Sequence, residues 1–79
     1  MKKGEFILRL AQFCEFSETD LKLDTNLKSI KGYDSMAIMS MIAFIDENFN
    51  LKITAVQING LTDFKSLILL IGKERFEND

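Results

Sequence analysis

The chain has 79 residues, 47% of them apolar and 28% charged, with seven Phe, four Gly and no Pro. That is enough for a single domain spanning residues 1–79 with a thin core, and too apolar for a disordered chain. The net charge of −2 and the pI near 5.0 come without a basic stripe, which speaks against nucleic acid as a partner. The lone Cys14 has no internal disulfide partner, and the absence of His removes the commonest general base and any His/Cys zinc site.

Apolar periodicity divides the chain into helices. The first is expected from Lys3 to Glu15, where Ile7, Leu10, Ala11 and Cys14 fall at i, i+3, i+4 and i+7 and Phe6 and Phe13 widen the stripe. Cys14 reads as a small core residue, and Lys2-Lys3 as a solvated terminus. The first residues lack the apolar run and cleavage site of a signal peptide, so a cytoplasmic location is expected. From Phe16 to Tyr33 the pattern breaks into a loop rich in Ser, Thr, Asp, Asn and Lys, with anchors at Leu21, Leu23, Leu27 and Ile30. Loops this long in so small a domain are often functional.

A second helix is expected to begin at Asp34, whose carboxylate can accept the free N–H groups of the first turn, and to run to about Phe49. Tyr33 and Ile38 have the spacing of a hydrophobic staple. Ile38, Met41, Ile42, Ile45 and Phe49 would form its core stripe, which leaves Met36, Met39 and Ala43 on the other side. Its most apolar stretch, Met36 to Ile45, is too short to span a bilayer. A short third helix fits Ala55 to Asn59, with Thr54 and Gln57 spaced as a capping box and Gly60 available as a left-handed end. The alternation of Leu51, Ile53 and Ala55 also permits a strand over Leu51 to Val56, although no partner strand is evident. The last helix would start after Thr62 as N-cap, with Phe64, Leu67, Ile68 and Ile71 inward and Lys73 and Arg75 near its C-terminal end, where positive charge suits the dipole.

The segment of chemical interest is Gly32-Tyr33-Asp34-Ser35-Met36. Ser35 would be the first residue of the second helix, at the mouth of the long loop. A phosphodiester on its hydroxyl would lie beside free N–H groups and the positive end of the helix dipole. Asp-Ser at a helix start also serves capping alone, so these residues by themselves leave both roles open.

From about Leu23 to Leu70 the chain resembles the acyl carrier protein family, including peptidyl carrier domains. The family's Asp-Ser-Leu motif, preceded by Gly and a variable residue, appears here as Gly32-Tyr33-Asp34-Ser35-Met36. Asp24-Thr25-Asn26-Leu27 is similar to the family's loop, Asp46-Glu47-Asn48-Phe49 with Leu51, Ile53 and Thr54 to the segment after helix two, and Thr62 with Leu67 to the last helix. The resemblance implies an all-α, four-helix bundle of acyl-carrier type, with a long loop between helices 1 and 2 and a short helix 3. It also implies a 4'-phosphopantetheine arm on Ser35, taken from coenzyme A by a phosphopantetheinyl transferase, with Asp34 as the cap of the motif. The chain would then be a discrete carrier of acyl or aminoacyl thioesters, not an enzyme and without a metal of its own. It would be a monomer serving ligase, ketosynthase or transferase partners.

Two positions usually acidic in housekeeping fatty-acid carriers fall on Ala37 and Ser40, while Asp46 and Glu47 keep acidic character further along. This departure points to a specialised fatty-acid, lipid or secondary-metabolite pathway with dedicated partners. The partner surface is expected at Met36, Ala37, Met39, Ser40, Ala43, Asp46 and Glu47. Met36, Met39 and Ala43 could equally cover the edge of a thin core. The main alternative is a non-enzymatic helical interaction module that never carries the arm. A hydrolase using Ser35 is weaker, since only Lys31 or Asp34 could stand in as its base.

Overall fold

The computed structural model describes residues 1–18 and 20–77. It is mostly helical, at 59%. Helix α1 spans Lys3–Phe13, α2 Ser35–Phe49, α3 Ala55–Asn59 and α4 Phe64–Ile71, and 3-10 turns cover Leu27–Ser29 and Lys73–Arg75. No strand forms among the described residues; the extended contacts are two isolated bridges, Lys2 with Glu77 and Asn26 with Asp63. The alternation at Leu51–Ile53 therefore belongs to an anchored connection, in which Ile53 is buried and Leu51 half-buried.

Helix α1 stops two residues before the expected Glu15. Glu15 takes a left-handed φ of 60°. Its N–H then reaches the Gln12 carbonyl at 3.1 Å, and the Phe16 N–H reaches Ala11 at 2.9 Å. This is the Schellman arrangement, which satisfies the last free carbonyls and turns the chain away from the helix axis. Helix α2 ends more conventionally, with Asn50 left-handed at φ 52° and its N–H on Asp46. Asn tolerates that conformation better than most residues.

The capping box of α3 forms as expected: the Gln57 N–H donates to Thr54 Oγ1 at 3.2 Å, and the Thr54 N–H to Gln57 Oε1 at 2.9 Å. Gly60, expected to be left-handed, instead has φ −83° and ψ −4°. Tight bonds from Gly60 to Gln57 and from Leu61 to Ile58 close the helix without a left-handed residue. The N-cap of α4 is Asp63, not Thr62. Its carboxylate accepts from the Ser66 N–H at 2.8 Å, and Ser66 Oγ accepts from the N–H groups of both Asp63 and Thr62 at 3.1 Å. The ladder of α4 ends at Ile71, because Gly72 turns out at φ 113°, and Lys73 and Arg75 lie on the 3-10 turn beyond it.

One core cluster draws on all four helices, the loop and the last described residues. Phe6 is fully buried at its centre, with ring centroids 6.0 Å from Phe44, 5.8 Å from Phe49 and 5.2 Å from Phe76. Burying one such side chain is worth roughly 1.5–3 kcal/mol, so this aromatic group is a leading apolar contribution to stability. On α2 the fully inward positions are Ala37, Met41, Phe44 and Ile45. Ile38, Ile42 and Phe49, expected in the same stripe, are half-buried against the cluster. On α4, Phe64, Leu67, Ile68 and Ile71 are inward as expected. The loop is tied down by buried Leu27 and Ile30 and half-buried Leu21, whereas Leu23 stays 39% exposed and anchors the loop through its backbone.

Candidate functional site

Ser35 is the first residue of α2 and is exposed. Three local features place it there. Gly32 turns the chain at φ 90°, a conformation other residues rarely adopt. Half-buried Tyr33 packs on Phe16, ring centroids 6.4 Å apart, and its N–H closes a turn onto the Ile30 carbonyl at 3.1 Å. Asp34, in extended conformation, then caps the helix: its Oδ1 accepts the Ala37 N–H at 2.9 Å, while its carbonyl takes the first helical bond from Ile38 at 3.0 Å.

The loop leading to this point is built from its own hydrogen bonds. Asn26 Oδ1 accepts from the Lys28 N–H at 2.9 Å, Ser29 Oγ donates to the Asn26 carbonyl at 2.7 Å, and the Lys31 N–H donates to Glu18 Oε1 at 3.1 Å. The Leu27 N–H reaches across to the Thr62 carbonyl at 2.9 Å, which joins the loop to the start of α4.

Among the described residues, the Ser35 hydroxyl has no hydrogen-bond partner, and neither do the N–H groups of Ser35 and Met36. An exposed hydroxyl beside two free N–H groups and the positive end of a helix dipole suits an anionic attachment. Asp34 is committed to the cap. Lys31 is exposed, and its backbone N–H belongs to the loop network.

Behind the site, Cys14 is half-buried and its Sγ lies 3.8 Å from the Ala37 carbonyl, a weak contact. Burial pushes its thiol from an ordinary 9.0 up to about 11. Tyr33 is also raised, first by burial and then by the charge Cys14 would carry as thiolate. Both groups are therefore neutral near pH 7, and they form an apolar backing for the motif.

Of the residues expected at a partner surface, Met36 is 77% and Met39 66% exposed. Ala43 and Glu47 are exposed, and Ser40 and Asp46 are half-buried. Asp46 pairs with Lys52 at 3.1 Å. Ala37 departs from that expectation: it is buried at 4% exposure, because it shares the inward face with Met41, Phe44 and Ile45 at i+4, i+7 and i+8. Val56 on α3 is 81% exposed and was not singled out from the sequence. The available signal was that a five-residue helix with Ile58 turned inward leaves Val56 on the other side. Among the described residues there is no cluster of groups suited to a metal ion, and no helix is long and apolar enough to cross a membrane. Comparison with protein-family models, with curated proteins and with solved structures returned no match.

Proposed function

We propose that this chain is a carrier of acyl or aminoacyl thioesters, with a 4'-phosphopantetheine arm on Ser35 and a four-helix bundle of acyl-carrier type as its scaffold. The carrying observation is the exposed, unengaged Ser35 hydroxyl at the start of α2, directly after the capping Asp34 in Gly32-Tyr33-Asp34-Ser35-Met36. The donors beside it fit a phosphodiester, since Ser35 and Met36 offer free N–H groups and nothing covers the hydroxyl. The arm, when bound, supplies the thiol that holds the cargo. The protein's own residues fix the attachment point on a rigid helix end and present a surface beside it. Tethering raises the effective concentration of the cargo at a partner's active site, so the chain needs no nucleophile of its own.

Attachment forms one phosphodiester bond at Ser35 Oγ and breaks the pyrophosphate linkage of coenzyme A, releasing its nucleotide half. A phosphopantetheinyl transferase with its magnesium performs that step. Met36, Met39 and Ala43, beside Ser35 on α2, form the docking surface for ligase, ketosynthase or transferase enzymes of a specialised pathway, with Glu47 further along. In this reading the protein works as a cytoplasmic monomer.

The test is intact mass before and after incubation with coenzyme A, magnesium and a promiscuous transferase. A gain of one phosphopantetheine in the wild type, absent from Ser35→Ala, is the expected result. No gain on a folded sample with that transferase, or with a panel of others, overturns the proposal. A helical interaction module that never carries the arm is the second reading, and it draws on the same exposed Met36 and Met39. It expects Ser35→Ala to keep full activity.

A further inference from the structure

Well away in sequence from the Ser35 motif, the start of α1, the loop at residues 22–24 and the outer face of α4 enclose a groove of about 600 Å³. That volume is in the range of small-molecule sites. Its floor is apolar. Ile68 is buried beneath it, while Leu23 is 39% and Leu69 59% exposed. Its lining is also cationic, with Lys3, Lys22, Lys65 and Lys73. Half of the eight lysines of a chain with net charge −2 are gathered here.

This charge is largely uncompensated. Lys3, Lys65 and Lys73 have no ion-pair partner among the described residues. Lys22 stands 4.0 Å from Asp20, with both side chains mostly exposed, a weak pair. Asp24 is the one acid in the lining, and Glu74 lies back against Gly72.

The groove is also built in advance. Lys65, Ile68 and Leu69 share a face of α4 at i, i+3 and i+4. The loop wall is held by the Lys65 N–H on the Leu23 carbonyl at 3.0 Å, the Lys22 N–H on Thr25 Oγ1 at 2.8 Å and the Thr25 N–H on the Lys22 carbonyl at 3.1 Å.

We infer that this groove binds a single-chain anionic amphiphile, with its apolar tail on Leu23, Ile68 and Leu69 and its head group among the four lysines. Four lysines lining a groove with an apolar surface complement that ligand. A purely apolar ligand would leave the lysines unused, and a free inorganic anion would leave the leucines in water. The half-enclosed shape favours a monomeric ligand over a flat membrane surface.

The test is calorimetric titration of the full chain with octyl phosphate below its micelle concentration, alongside hexyl phosphate, octanol and inorganic phosphate. Octyl phosphate is expected to bind best and to exceed hexyl phosphate by roughly tenfold, since each buried methylene adds about fourfold. Raising salt should weaken it. Lys65→Glu/Lys73→Glu should lower the affinity at least tenfold, and Leu69→Ser should remove the dependence on chain length. The three substituted positions on α4 and its following turn, Lys65, Leu69 and Lys73, are all exposed, so helical circular dichroism should stay unchanged. Ser35→Ala should bind as wild type, so the groove stands or falls apart from the carrier role. Equal binding of the two alkyl phosphates, binding of octanol or inorganic phosphate as tight as that of octyl phosphate, or indifference to the lysine reversal would each overturn the inference.

Discussion

Glu15 holds a φ of 60° that glycine adopts freely and glutamate does not. Glu15→Gly should therefore stabilise the fold by roughly 0.5–1 kcal/mol, after the greater entropy of unfolded glycine is subtracted. In a chain of this size that is about 2–8 °C in Tm. At the motif, Asp34→Ala removes the acceptor of the Ala37 N–H and should cost about 1 kcal/mol in denaturant unfolding. Ser35→Ala touches no internal bond and should unfold within about 0.5 kcal/mol of wild type. Cys14 gives a pH signature. Its folded-state pKa of about 11 lies above its ordinary 9.0, so the folded state keeps the proton longer. Its contribution is fully present below pH 9 and is lost as pH rises through 11, with Tyr33 acting in the same direction. At pH 8, alkylation of Cys14 should run roughly a hundredfold slower than that of a free thiol, and urea should restore the rate.

At the scale of the element, helix boundaries are set by which side chain reaches the free backbone groups. Thr62 and Asp63 are both capping residues by type, and the sequence reading places the cap on Thr62, one residue too early. In the fold, the Thr62 carbonyl is held by the Leu27 N–H, and Asn26 bridges to Asp63, so the chain enters α4 with the Asp63 carboxylate over Ser66. Asp63→Ala should cost about 1 kcal/mol and Thr62→Ala less than about 0.5 kcal/mol, measured by the midpoint of denaturant unfolding. The same logic ended α1 at Phe13. An apolar stripe continues to Cys14, but the bonds from Glu15 and Phe16 close the helix before it.

For the whole molecule, the Phe6, Phe44, Phe49 and Phe76 group couples α1, α2 and the end of the described chain. Phe76 is buried although it lies beyond the last helix, and the Arg75 guanidinium donates to the Phe49 carbonyl at 2.7 Å beside it. Phe6→Ala should cost about 3–5 kcal/mol. A chain this long has a total stability of roughly 4–12 kcal/mol, so that variant should be partly or wholly unfolded at 25 °C by circular dichroism. Phe76→Ala should follow the same direction with a smaller loss, because its ring is nearer the surface.

Periodicity and capping chemistry are local, and they were legible in the chain itself. The all-helical class, the bounds of α2 with Asp34 as its cap, the capping box of α3 and the inward face of α4 all follow from residues within one or two turns of each other. That Met36, Met39 and Ala43 lie opposite the core stripe was legible for the same reason, whereas the sequence leaves their exposure open between a free surface and the edge of the core. What needed distant partners was not. The face of α2 that the rest of the fold covers is centred on Ala37, Met41, Phe44 and Ile45, not on Ile38 and Ile42, and Leu23 stays 39% exposed while its carbonyl accepts from the Lys65 N–H of α4. The four groove lysines stand at positions 3, 22, 65 and 73, with no spacing that marks them as a group. Only the packing of α4 against the loop and the start of α1 brings their charges together, since side chains far apart in sequence become neighbours only when the core closes.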